Sequence, residues 1–200
     1  MVIDFKNKEI KFKIVYYGPG LSGKTTNIKY IFKKFMGPKG KLLSVDTKGE
    51  RTLFFDLLPL EINLVKGFKT RFFLYTVPGQ VFYKTARKLV LRGADCVVFV
   101  ADSSRKRMEE NKELYKEMHE NLKIFGLSDG NKIPIIVQYN KRDVPDKVPV
   151  EELEREVNIY HYPYVLAIAY QGKGVMKTLE MAIKLIVKEH IKKQKTRVKR

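Results

Sequence analysis

One eight-residue stretch constrains this chain more than any other. Residues 18–25 read GPGLSGKT, a match to G-x-x-x-x-G-K-[ST]. The flanks are as restrictive as the string. Residues 10–17 (IKFKIVYY) alternate and then run apolar into Gly18, the pattern of a strand entering a turn. Residues 24–35 set Ile28, Ile31, Phe32 and Phe35 along one helical face. A strand, a Gly-rich loop and a helix in that order form a cradle for polyphosphate. Gly18 and Gly23 permit backbone conformations that aim successive N–H groups inward, and the helix N-terminus adds its partial positive charge. Gly18, Pro19, Gly20, Leu21, Ser22 and Gly23 are therefore candidate phosphate-binding residues, continued by Lys24, Thr25 and Thr26. Lys24 would bridge the outer phosphates and offset charge during reaction, and the Thr25 hydroxyl would coordinate Mg²⁺.

The rest of the chain repeats the alternation. Strand-like runs at 70–75, 94–101, 133–138 and 164–169 are short and apolar enough to be buried on both faces. Helical patterns lie between them, clearest over 105–125, where Met108, Tyr115, Met118, Leu122 and Phe125 recur at three- and four-residue steps. Residues 53–62 are apolar and broken by Pro59, and Lys66-Gly67 resembles a hairpin turn, which predicts one antiparallel pairing. The expected fold is α/β, a mostly parallel central sheet with one antiparallel strand and helices on both faces, with ligand loops at the carboxyl ends of the strands. Two hundred residues suit one such domain, read as 1–187, followed by a basic tail at 188–200.

A phosphate cradle does not name the base. Asn140-Lys141-Arg142-Asp143 follows the 133–138 strand and matches N-K-x-D. A carboxylate at Asp143 can accept two hydrogen bonds from guanine, from its ring N–H and its amino group, which adenine does not present in that arrangement. Asn140 would tie this loop to the phosphate loop, and the Lys141 stem would pack on the base. After the 70–75 strand the chain reads Thr76-Val77-Pro78-Gly79-Gln80. Small GTPases usually carry D-x-x-G-Q here, with the Asp near Mg²⁺, the Gly N–H on the γ-phosphate and the Gln orienting the attacking water. Gly79 and Gln80 match, but Thr76 replaces the Asp, which leaves Asp46 and Asp56 as alternative carboxylates that the sequence does not choose between.

Taken together, VYYGPGLSGKTTN, ERTLFFDLLP, KGFKTRFFLYTVPGQVFY, VFVADS and NKRD resemble the MglA family of bacterial Ras-like GTPases of gliding motility and cell polarity, over residues 10–178. The T-V-P-G-Q variant is itself a mark of that family. The resemblance implies a Ras-like P-loop GTPase fold, binding of GTP and GDP, Mg²⁺-dependent hydrolysis, two switch loops, and a roadblock-type activating partner, MglB. Carried over by position, Thr52 corresponds to the switch threonine that senses Mg²⁺ and the γ-phosphate, and Arg51 to a built-in arginine finger. Gln80, Arg51 and Lys24 are then the catalytic candidates. Ala169 stands where related GTPases offer a backbone N–H to the guanine oxygen, although Ile168 and Tyr170 depart from the usual S-A-K. Residues 3–8 would add an edge strand, as in that family. Effectors are not identifiable.

Composition bears mainly on partners. Forty Lys and Arg against 22 Asp and Glu give +18, of which residues 188–200 hold seven basic residues and one Glu. A field of that sign favours anions in general, so a nucleic-acid-binding protein is one rival reading, though charge alone supports it and nucleic acid is not among the expected partners. The tail is a candidate for peripheral contact with an anionic membrane surface. Cys96 lies within an apolar run and reads as a small buried side chain. No run approaches the ~18 to 20 apolar residues of a membrane span, and the first ten residues are too polar for a secretory signal. A reduced, cytoplasmic protein is expected, with recruitment to cell poles or the inner membrane surface as the extension the resemblance suggests. The other rivals are a nucleotide-gated binding module with negligible hydrolysis, suggested by Thr76, and a P-loop kinase or ATPase, for which no arginine-bearing lid is evident between Asn111 and Gln138.

Overall fold

The computed structural model describes residues 1–36, 43–44, 56–65, 67–77, 84–127 and 133–198. Among the described residues, strands and α-helices follow the chain in this order: β1 (Val2–Asp4), β2 (Glu9–Tyr17), α1 (Lys24–Met36), β3 (Leu43–Ser44), β4 (Asp56–Val65), β5 (Phe68–Thr76), α2 (Lys84–Leu91), β6 (Cys96–Asp102), α3 (Met108–Ile124), β7 (Ile135–Asn140), α4 (Val150–Glu156), β8 (Tyr164–Leu166) and α5 (Val175–Val198). The sheet runs β3-β4-β5-β2-β6-β7-β8, with β1 set against the start of β2. From β5 to β8 every pairing is parallel. β4 lies antiparallel on β5, as the hairpin pattern predicted, from Leu57 opposite Tyr75 to Val65 opposite Phe68. Gly67 takes a left-handed φ of +82° in the intervening turn, which suits glycine.

The two-residue period of the central strands sorts side chains to opposite faces. Val15 and Tyr17 of β2 join Val97, Phe99 and Ala101 of β6 under α2, α3 and α4, represented by Leu91, Met118 and Leu153. Ile14 and Tyr16 join Cys96, Val98 and Val100 under α1 and α5, through Ile28, Ile31, Leu179 and Ile186. Burial on both faces is why β6 reads as an unbroken apolar run. Cys96 is fully buried there, and burial pushes its thiol pKa up, away from reactivity.

Several boundaries differ from the sequence reading, each for a local reason. β1 stops at Asp4 because its carboxylate accepts the Asn7 backbone N–H at 3.0 Å and the Asn7 amide at 2.8 Å, closing a turn. β7 starts after Pro134, which has no N–H to donate, and extends to Asn140 because buried Gln138 and Asn140 have polar partners. The first residues of the 105–125 helix form a 3₁₀ turn, Arg105–Arg107, closed by the Arg107 N–H on the Ser104 carbonyl at 3.0 Å. β8 ends at Leu166, and Ala169–Gln171 is a 3₁₀ turn capped by Gly172 at φ +77°. β3 on β4 is an element the pattern did not reveal. α5 continues past residue 187, and His190 packs edge-on against Phe12 at 5.9 Å between centroids. No described helix is long and apolar enough to cross a membrane.

Candidate functional site

The phosphate loop leaves β2 at the carboxyl edge of the sheet and is forced into shape by its neighbours. Gly18 has φ +133°, and a Cβ there would lie 2.3 Å from the Val100 carbonyl oxygen of β6. Gly23 has φ +100°, and its Cβ would lie 2.2 Å from Asn140 Nδ2. Neither position can hold a side chain, so both glycines of the motif are required by packing as well as by conformation. Leu21 turns through φ +62° with its side chain exposed at the loop tip. α1 begins at Lys24, so its first-turn N–H groups open into the loop.

Lys24 is buried, and its ammonium donates to the Gly18 and Pro19 carbonyls at 2.9 and 2.6 Å. Burial pushes its pKa down to about 7; the Arg87 and Arg107 cations add to the shift and Glu110 opposes it. A cation so placed has carbonyl dipoles around it, and a polyanion would relieve its desolvation. The residues therefore fit a polyphosphate, and Thr25, half-buried beside Lys24, supplies the hydroxyl that a phosphate-bound Mg²⁺ would use.

The N-K-x-D loop is built from side chains. Asn140 ends β7; its Nδ2 donates to the Ser22 carbonyl at 2.7 Å and its Oδ1 accepts the Ala169 N–H at 2.8 Å. One amide thus joins the phosphate loop, the N-K-x-D loop and the turn after β8. The donor and acceptor pattern fixes its orientation. Lys141 adopts φ +62° and its ammonium donates to Asp102 Oδ2 at 2.5 Å. Asp143 is exposed at the tip of the turn that the Val144 N–H closes on the Lys141 carbonyl at 3.2 Å. The structure thus brings together Gly18 to Thr26, Asn140, Lys141 and Ala169, with the Ala169 N–H serving the Asn140 brace. Thr76 is buried at the end of β5, paired in register with Tyr16. Arg51, Thr52, Gly79, Gln80 and Asp46 lie outside the described residues, and Asp56 opens β4.

Three features escaped the sequence reading. Asp102, at the end of β6, is buried and accepts from Lys141 and twice from Ser104. Arg107 donates to the Gly20 carbonyl of the phosphate loop. Arg87 of α2 is buried and holds Glu117 of α3 with two bonds of 2.7 Å, while the Tyr17 hydroxyl donates to the same carboxylate at 2.6 Å. Burial raises the Glu117 pKa, but these donors outweigh it and hold the carboxyl below its usual range. Asp102 closes an otherwise apolar strand inside VFVADS, a segment that carries the resemblance but to which the sequence reading attached no role.

The sequence profile of the ADP-ribosylation factor family matches residues 1–185. The chain belongs to that family. It is 53% identical over 188 residues to the mutual gliding-motility protein MglA of Myxococcus xanthus, covering 94% of this chain and 96% of that one. Human ADP-ribosylation factor-like protein 4A is 28% identical over 187 residues, covering 88% and 84% of the two chains. Human ADP-ribosylation factor-like protein 4C is 29% identical over 183 residues, covering 86% of each. The chain is thus an MglA-like, Ras-like small GTPase, of a family that binds GTP and GDP and usually uses Mg²⁺.

Proposed function

We propose that this protein is an MglA-like switch that binds Mg²⁺·GTP, hydrolyses it slowly alone, and presents different surfaces in its two states. The observation that carries this reading is the Asn140 amide, which holds the phosphate loop and the N-K-x-D loop side by side, so that one nucleotide could reach both. The first loop suits a polyphosphate and the second guanine. The triphosphate would lie along the loop N–H groups with Lys24 moving from the Gly18 and Pro19 carbonyls to the outer phosphates. Asp143 would accept the guanine ring N–H and amino group, and the Lys141 stem would cover one base face. Bound Mg²⁺, held by the Thr25 and Thr52 hydroxyls and phosphate oxygens, would supply charge neutralisation. Gln80 would orient the attacking water and Gly79 would meet the γ-phosphate.

Arg51 would complete the site in cis, leaving a roadblock-type partner, MglB-like, to hold the switch loop closed without donating an arginine. A guanidinium so placed is worth ~10³ to 10⁵ in rate. Kinship with the gliding-motility protein favours a role in motility; a role in cell polarity, in the cytoplasm with recruitment to poles, extends that reading. The domain would be residues 1–187, and the basic segment 188–200 would add peripheral attraction to anionic membrane. Single-turnover hydrolysis with a roadblock-type partner tests the mechanism. Arg51→Ala and Gln80→Leu should each remove nearly all stimulated turnover with GTP affinity little changed, and the double variant should be hardly worse than either. Wild-type stimulation in Arg51→Ala would remove the built-in finger.

A further inference from the structure

The buried carboxylate at the end of β6 joins segments that the sequence motifs leave separate. Asp102 is 1% exposed. Its Oδ1 accepts the Ser104 N–H at 3.0 Å and the Ser104 hydroxyl at 2.6 Å, and its backbone is held from α3, where Asn111 Oδ1 accepts the Asp102 N–H at 3.0 Å and Asn111 Nδ2 donates to its carbonyl at 2.8 Å. The carboxylate therefore has little freedom. Its other oxygen, Oδ2, takes the Lys141 ammonium at 2.5 Å and lies 4.0 Å from Arg107 Nε. Arg107 in turn pairs with Glu110 at 2.5 Å and donates to the Gly20 carbonyl.

We propose that Asp102 is a positioning residue of nucleotide binding: it fixes the Lys141 stem for the base. The inference rests on the guanine-nucleotide reading above. Lys141 is a non-glycine residue with φ +62°, a left-handed conformation that side chains disfavour and that must be held from outside. A four-carbon side chain left to itself samples many rotamers. An ion pair to an immobilised, desolvated carboxylate selects one, leaving the methylenes as a flat wall before any base arrives.

The test is release of N-methylanthraniloyl-GDP from the full chain, in wild type, Asp102→Asn, Lys141→Met and the double variant, with melting temperatures alongside. Asp102→Asn keeps the shape and removes the charge, and should speed release about tenfold or more. In the Lys141→Met background the same substitution should change release less than about twofold, since the side chain to be positioned no longer carries the ammonium. A merely structural Asp102 would lower stability and speed release equally in both backgrounds, which overturns the proposal. If Asp102→Asn fails to fold, Ser104→Ala, which removes one of the two bonds on Oδ1, should still speed release about threefold in wild type but not in Lys141→Met. Wild-type release in a folded Asp102→Asn, or in Ser104→Ala, overturns the positioning role while leaving guanine binding standing. Failure of the wild type to bind the nucleotide at all overturns the guanine reading and this proposal with it.

Discussion

The phosphate loop and the base loop meet at one amide, yet they are held by opposite means. The first is backbone: two glycines in conformations that side chains avoid, a helix N-terminus, and a buried Lys24 whose ammonium donates to carbonyl oxygens. The second is side chains already matched: Asn140 to Ser22 and Ala169, and Lys141 to Asp102. One region carries a cation whose burial a phosphate would offset, and the other is organised before the base arrives. Affinity should therefore come mainly from the first and selectivity from the second.

The largest break in this contrast is Lys24→Ala. With the one ammonium among the loop carbonyls removed, GTP and GDP affinity should fall by at least about a hundredfold, measured by fluorescent nucleotide titration. Gly23→Ala should come next. A methyl 2.2 Å from Asn140 Nδ2, on a residue at φ +100°, strains the loop and pushes away the amide that joins the two regions. A loss of about 2 kcal/mol in stability and tenfold or more in nucleotide affinity is expected from urea unfolding and titration.

A subtler distinction lies in pH. Lys24 has a pKa of about 7 in the free protein, and phosphate contact would raise it. Binding then takes up a proton, so affinity is full below about pH 7 and falls as pH rises toward the pKa of the complex, by up to tenfold per unit. Calorimetry between about pH 7 and about pH 8.5, in buffers of different ionisation enthalpy, should register that uptake; a pH-independent affinity would deny it. Least of all should change on removing residues 192–200, which lie beyond His190 and its contact with Phe12. Nucleotide affinity should stay within about twofold, because the segment contributes long-range charge that salt screens.

The contrast also explains what the sequence made legible. The phosphate loop and N-K-x-D are contiguous, each residue acting within a few positions of the next, while β2 and α1 carry recognisable periodicities and β6 an unbroken apolar run. Asp102 and Arg107 act across gaps of 39 and 87 residues, to Lys141 and Gly20. No spacing rule reports such pairs. Gln138 ended an apolar run and hid the last two residues of β7, because its partners Asn27 and Thr178 sit on α1 and α5. The apolar run 164–169 places Ala169 at a strand end, but its N–H turns to Asn140 and the chain tightens into a 3₁₀ turn.

The most direct measurement is competition among GTP, XTP and ATP for wild type and Asp143→Asn. Asp143 stands exposed at the base loop, where a carboxylate accepts from guanine and an amide could donate to xanthine. Wild type should prefer GTP over both others, and the variant should shift toward XTP by about a hundredfold or more while keeping its phosphate loop. ATP binding as tight as GTP, or an unchanged GTP to XTP ratio in the variant, would contradict a guanine site formed by these two loops.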